Sequence, residues 1–398
     1  MQKDSCVFVH KDKTQNTKLI IALLVDDILV AGEEEMCKKF ATEFSNIYQI
    51  SQLEEATTFN GIEIIRDLNN PHVIKLSQEF QIKKFLEEYS SENYKEQEYA
   101  EQDIQFVLAE ESNDDICHAK HQTEFRNLVG TLNWFTTGTR PDLAHLVHAA
   151  SRVMQRPTNK QLKSLKKVIG YLKRHPNKPL TFDATKAKGC ARIYAFSDSD
   201  FAGLPLSADI KDRNGRKSNY GFIVYFLGPT SWKSKLANNV ATSTAYAETV
   251  AMFHTAKEIK SQSLLLEEIG IKLNRTPLFC DNISAIQQTM GLESCKASRH
   301  VEICYSWLRE QYHNQEITPF YIDTNENVAD VFTKPKAKDI DIFNMSQGRI
   351  DQLLKNGMRK TEEINTLEDY KSLVLTNEIQ GFKRTRSPGE VSDNANKY

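Results

Sequence analysis

At 398 residues the chain is long enough for two or three domains, each with a hydrophobic core of its own. A formal net charge of −2 excludes a protein held to nucleic acid by a bulk basic excess, so any such partner has to be met by local patches and bound cations. Seven cysteines, an odd number without a Cys-x-x-Cys pair, argue against a disulfide framework or zinc ribbon and fit a reducing, cytoplasmic setting. The longest apolar run, 19–25, is too short to span a bilayer and no basic segment precedes it, so neither a membrane contact nor a signal peptide is expected.

In chain order, residues 18–32 set apolar runs on both sides of Asp26 and Asp27 and end on Gly32. This reads as a β-hairpin with two acids at its tip and both arms buried; a plain turn-forming aspartate pair is the other reading. Met36, Phe40 and Phe44 recur at helical spacing over 33–44, and 59–65 alternates like a strand. An amphipathic helix is expected over 77–89, capped by Ser77 and with Phe80, Ile82, Phe85, Leu86 and Tyr89 on its apolar side. Residues 91–115 are rich in Glu and Asp with little to bury, as in a solvated, flexible linker. Helical spacing returns at 125–135, at 141–154 with Pro141 in the first turn, and at 159–174. The last of these carries Lys160, Lys163, Lys166, Lys167, Lys173 and Arg174, which suits a solvated face and a phosphate-tracking surface equally.

Strands are expected at 191–196, at 220–227 and from 230 onward, a succession that implies an antiparallel meander. A long helix over 243–266 follows, with Ala247, Val250, Ala251 and His254 at helical spacing. Residues 277–280 form a short strand ending at Asp281, then come a helix marked by Val301, Cys304, Tyr305 and Leu308, a strand over 317–322, and a last helix starting at 328. Strands first, then helix and strand in alternation, predict a mixed sheet with helices packed on it.

Four acids fall at the ends of these elements: Asp198 closing the first strand, Glu248 one turn into the long helix, Asp281 closing the fourth strand, and Asp330 opening the last helix. Buried carboxylates repel one another and lose solvation, so a fold keeps them where a cation or a proton offsets the charge. Four together can hold two divalent cations about 4 Å apart, a spacing that clamps the attacking and leaving oxygens of a phosphodiester. Oxygen-only ligation favours Mg²⁺ or Mn²⁺ over zinc. Spacing alone leaves open the plainer alternative, acids that cap helices and turns.

Several motifs, in a fixed order over most of 5–336, resemble the C-terminal part of a copia-type LTR-retrotransposon Pol polyprotein. Leu24-Val-Asp-Asp-Ile-Leu-Val-Ala-Gly32 is similar to the Tyr-Val-Asp-Asp hairpin of the reverse transcriptase palm. Phe125-Arg-Asn-Leu-Val-Gly-Thr-Leu132 with Thr139-Arg-Pro-Asp-Leu143 is similar to the segment joining polymerase to ribonuclease H. Ser197-Asp-Ser-Asp-Phe-Ala-Gly203, Arg216-Lys-Ser with Gly221, Ser231-Trp-Lys-Ser234, Ala247-Glu248, Asp281-Asn282 and Ala329-Asp-Val-Phe-Thr-Lys-Pro335 follow the ribonuclease H domain in order.

The resemblance implies an α/β, ribonuclease H-like fold with a mixed five-stranded sheet over 188–336. A partial palm and thumb at 1–90, an acidic linker at 91–118 and a helical connection at 119–180 precede it, and a polar tail at 337–398, disordered over 384–398, follows. It further implies an endoribonuclease in which Asp198, Glu248, Asp281 and Asp330 ligate two Mg²⁺ or Mn²⁺ ions, with Asp200 in support. Tyr246 stands where the family usually has a non-catalytic acid. Asn325-Glu-Asn327 lacks the histidine often found before the last Asp; His300 is the nearest motif candidate for a general base, a helix cap being its plainer role. Asp26 and Asp27 are a polymerase half-site, since the third palm carboxylate and the fingers are not in this sequence, and Leu24 replaces the usual tyrosine. DNA synthesis by this chain alone is therefore not expected. The implied partners are an RNA–DNA hybrid, with Lys217, Lys233 and Lys235 near its phosphates, and the upstream polymerase part of the same polyprotein. The implied location is cytoplasmic, particle-associated or nuclear. An inactive or co-opted transposon remnant that binds nucleic acid is the alternative, favoured by the insertion-like 204–212.

Overall fold

The computed structural model describes residues 4–12, 14, 16–51, 53–100, 106, 115–187, 192–201, 216–271, 273, 275–291, 299–334, 341–345 and 347–364, with the side chains of 186–187, 299–301, 347 and 359–364 excepted. At the N-terminal end, β1 (Val7–Lys11), β2 (Thr17–Leu24) and β3 (Asp27–Gly32) form an antiparallel sheet, with α1 (Glu34–Ser45) packed on β2 and β3. The hairpin turns at Val25, whose φ is 53°, and Asp26. Its arms are not buried as expected. Only Leu19 in β2 and β3 is buried, while Leu23, Leu24 and Val25 are exposed, because the helix that packs on them buries none of its own residues.

A second antiparallel sheet runs in the order β4 (Thr58–Phe59), β5 (Ile62–Asp67), β6 (Asn70–Ser77) and β7 (Leu180–Asp183). Residues 59–65 are therefore two strands rather than one. Asn60 and Gly61, at φ 50° and 70°, make the two-residue turn between them, since this pair accepts the left-handed conformation that a tight hairpin requires. The helix that follows, α2 (Glu79–Glu88), begins after Gln78; Ser77 stands one residue further out and its hydroxyl accepts from Glu79 N at 3.0 Å, while Phe80 points outward, 62% exposed. Ile82 and Phe85 make its contact with the core.

That core belongs to a helical unit: α3 (Ala119–Gly138), a 3-10 turn at Pro141–Leu143, α4 (Ala144–Ser151), α5 (Asn159–Leu165) and α6 (Lys167–Arg174). The single helix expected over 159–174 is broken at Lys166. The Thr139-Arg-Pro-Asp motif is structural: Arg140, 1% exposed, donates to both Asp142 carboxylate oxygens (3.0 and 2.7 Å) and to the His175 carbonyl (2.9 Å). The acidic segment is not a free linker where it is described. Tyr94, Phe106 and Cys117 join the helical core, Lys166 pairs with Glu124, and Arg174 pairs with Glu98 at 2.5 Å. The basic face over 159–174 is thus partly neutralised within the chain; residues 101–105 and 107–114 lie outside the described residues.

The C-terminal unit holds β8 (Ile193–Asp200), β9 (Asn219–Phe226), β10 (Pro229–Leu236), α7 (Thr244–Ile269), β11 (Thr276–Cys280), α8 (Ile283–Thr289), α9 (Arg299–His313), β12 (Ile317–Tyr321), a 3-10 helix at Val328–Phe332 and α10 (Gln347–Ile364). Its sheet order is β10-β9-β8-β11-β12, with β8, β9 and β10 an antiparallel meander and β8, β11 and β12 parallel. This is the mixed five-stranded sheet of a ribonuclease H-like fold. The polar tail does not begin at 337: Ile342, Met345, Ile350, Leu353 and Leu354 are buried in the same core as the sheet, and α10 packs on β12. Residues 365–398, including the stretch expected to be disordered, and the insertion-like 204–212 lie outside the described residues. The helical unit covers β10 at the sheet edge, where Trp232 Nε1 donates to the Thr136 carbonyl and Leu236 N donates to His148 Nε2, both at 2.9 Å.

Candidate active site

β8 runs past its expected end, so Asp198 lies within the strand, opposite Gly221 of β9, rather than closing it. It is 1% exposed. Ser243 caps α7 by accepting from Tyr246 N, which sets Glu248 in the second turn, buried beside β8; Ser199 N donates to its Oε1 at 3.1 Å. Asp281 is the first residue beyond β11, and Asn282 then caps α8 through Ala285 N. The Thr324 hydroxyl donates to Asp281 Oδ2 at 2.7 Å.

Asp330 lies in the helix expected from Val328, which is a short 3-10 helix, and it is not the last helix, since α10 comes after it. The fully buried Asn327 holds this helix against the sheet. Its Nδ2 donates to the Ser197 carbonyl at 2.9 Å and its Oδ1 accepts from Ala329 N at 3.1 Å. Gly221 lets the two elements close up, because a Cβ there would stand 2.4 Å from the Phe332 Cβ. Thr333, just after the helix, donates its hydroxyl to Asp198.

The four acids share one electrostatic environment. Burial raises the Asp198 carboxyl to about 6; the Thr333 hydroxyl and Lys334 oppose this, and Asp281 and Asp330 add to it. Burial, then the fields of Asp198 and Asp281, push Glu248 well above the ordinary carboxylate range. Asp200, half-buried beside them, is raised by burial and by Asp330. Lys334 forms an ion pair with Asp330; burial would lower its ammonium, but that bond and the fields of Asp198, Asp330 and Asp281 outweigh it. Three buried carboxylates and the half-buried Asp281, with Lys334 against them, are short of positive charge. That shortage and the all-oxygen donor set suit hard divalent cations.

Sequence reasoning missed two neighbours. Cys280 Sγ lies 3.8 Å from Glu248 Oε2, and one ligand atom each of Glu248, Cys280 and Asp281 fall within 4.8 Å of one another. Burial and Glu248 push this thiol well above its ordinary range, so it stays a neutral packing group. Lys334 was legible only as part of the Thr333-Lys-Pro motif. Tyr246, in place of an acid, is buried against Tyr305 and Ala241. His300 lies in the first turn of α9, with its side chain outside the described residues.

The remaining predicted residues lie elsewhere. Lys233 and Lys235 are exposed on β10 and act, with Lys257 of α7, on His254, whose imidazole burial and these charges lower to about 4. Lys217 is half-buried just before β9. Asp26 and Asp27 are exposed at the hairpin tip. Their sheet meets α7 at the opposite end from Glu248: Thr17 donates to the Ile269 carbonyl, 21 residues or about 30 Å along the helix.

No protein-family profile matches the chain. It is 28% identical over 341 residues to the retrovirus-related Pol polyprotein from transposon TNT 1-94 of Nicotiana tabacum, covering 83% of this chain and 24% of that protein. It is 32% identical over 219 residues to the corresponding polyprotein from transposon RE1 of Arabidopsis thaliana, covering 54% of this chain and 14% of that one. Its homologues are thus retrovirus-related Pol polyproteins of plant copia-type transposons. It spans about a quarter or less of the length of these relatives. Among solved structures, the N-terminal RNase H domain of a Mycobacterium tuberculosis protein aligns with 42% of this chain and 98% of that domain, at 11% identity and a TM-score of 0.27. The fold rests on the strand order itself. No helix among the described residues is long and apolar enough to cross a membrane.

Proposed function

We propose that this chain is part of a copia-type Pol polyprotein and is a metal-dependent ribonuclease H that cuts the RNA strand of an RNA–DNA hybrid. The observation that carries the reading is the convergence of Asp198, Glu248, Asp281 and Asp330, from three separate elements and a strand end, on one site short of positive charge. These four carboxylates would hold Mg²⁺ or Mn²⁺, which supplies an activated water and stabilises the leaving 3′ oxygen. The chain's own groups do the rest. Thr333, Thr324 and the Ser199 amide orient three of the acids, and Asn327 fixes the segment bearing the fourth. The face formed by Lys233, Lys235 and Lys257 meets backbone phosphates, while recognition of the hybrid rests on its A-like shape and 2′-hydroxyls. Cleavage of a labelled hybrid with Mg²⁺, comparing wild type with Asp281→Asn, tests this. Activity confined to the wild type is expected; equal activity in both would mean that the cleavage does not come from this site, none in either would point to a remnant that no longer cuts, and either result overturns the reading.

A further inference from the structure

Lys334 does something in this site that the four-acid reading does not use. It lies two residues beyond the end of the 3-10 helix that carries Asp330, and its ammonium pairs with Asp330 Oδ1. Asp330 is 2% exposed in its side chain, whereas that of Lys334 is 39% exposed and so keeps a path to solvent. The same ammonium acts on Asp198, Asp281 and Asp200. Its field, with the Thr333 hydroxyl, opposes the rise of the Asp198 carboxyl. A flexible, singly charged group thus offsets part of the charge that a divalent ion would offset, and it does so on a carboxylate that the proposed function assigns to metal.

The geometry points to Lys334 as a tethered counter-ion that occupies the Asp330 side of the acidic site and that a divalent cation must displace. The inference rests on the metal-binding reading above. In the metal-free chain the ammonium relieves repulsion among buried acids and lets the 3-10 helix dock against β8 and β9. Once a divalent ion binds, repulsion between two positive centres on one carboxylate drives the lysine outward, along the side on which it is already exposed. The cost is affinity, since part of the metal's attraction is spent in replacing a charge already present. Lysine suits this better than arginine, because a compact ammonium on a four-carbon stem forms no bidentate fork to hold it in place.

Two measurements on the full chain test the idea. The first is Mn²⁺ binding by calorimetry for wild type, Lys334→Met and Asp198→Asn. Lys334→Met is expected to bind about tenfold more tightly than wild type, and Asp198→Asn more weakly. The second needs no variant at Lys334 and so survives a failure of Lys334→Met to fold. Lysine acetylation of the wild type is followed residue by residue by mass spectrometry, with and without Mg²⁺. The Lys334 rate is expected to rise several-fold with the ion while exposed lysines such as Lys38 and Lys39 hold constant. Unchanged or weaker Mn²⁺ binding by a folded Lys334→Met, or a Lys334 rate indifferent to bound ion, overturns the counter-ion role and leaves the metal site standing. Absence of Mn²⁺ binding by every chain overturns both.

Discussion

Gly221→Ala tests the assembly of the site without removing any group that would touch metal or substrate. Gly221 lies in β9 directly across from Asp198, and the added Cβ would meet the Phe332 Cβ at 2.4 Å, the Thr333 Cγ2 at 3.0 Å and the Phe332 carbonyl carbon at 3.2 Å. Carbon atoms rest at about 3.5–4.0 Å, so the segment must retreat by roughly 1 Å or more. Phe332 is fully buried, and the close atoms are at the backbone or next to it, so a rotamer change cannot absorb the clash. Overpacking of this kind costs about 1–3 kcal/mol. The retreat also carries Asp330, Thr333 and Lys334 away from Asp198, and a misplacement of about 1 Å at a reacting centre costs on the order of 100-fold in rate. The assay is hybrid cleavage at saturating Mg²⁺, read beside urea denaturation of the same preparation. The expected variant is folded, modestly destabilised and about 100-fold slower. A variant of wild-type stability with activity within about threefold of wild type would refute the claim that this close contact sets the position of Asp330.

Other expectations follow from the same structure. Asn327→Ala removes the side chain that joins Ser197 to the 3-10 helix and leaves buried groups unpaired, so urea denaturation should show a loss of about 2–3 kcal/mol. Leu353→Ala should cost about 2–5 kcal/mol if α10 is part of the core, whereas a residue of a detached tail would cost nothing measurable. Lys233→Glu and Lys235→Glu should weaken hybrid binding across all sequences and lower its salt dependence, by about one unit of slope for each lysine charge lost; unchanged slopes would remove β10 from the binding face. His148, which accepts from Leu236 N, is held down to about 4 by burial, with Arg152, His145 and Lys235 adding to it. In the unfolded chain it takes up its proton near 6.5, so the unfolded state binds more protons between those values and stability falls as pH drops from 6.5 towards 4. Relative to His148→Gln, which keeps an acceptor, wild type should lose about 2 kcal/mol more between pH 7 and pH 5; parallel pH profiles would contradict this.

The elements of the C-terminal unit were legible in the sequence because their signals are local. The apolar run into Asp198, the Ser243 cap and the Asp281-Asn282 strand-to-cap junction each act within a few residues. The Asn60-Gly61 turn was equally local and was overlooked, its signal hidden by alternation on both sides. The identities of the four acids came from motif order, since spacing could not separate metal ligands from caps. Only the tertiary structure decided how these acids meet. Asn327 reaches Ser197 across 130 residues, Gly221 admits Phe332 across 111, and α10 supplies core to a sheet whose strands end at Tyr321. No periodicity records such contacts, because each depends on which surfaces the sheet brings together. The same holds for Lys334 and Cys280, ordinary residues in the chain that acquire their roles from the buried charge placed beside them.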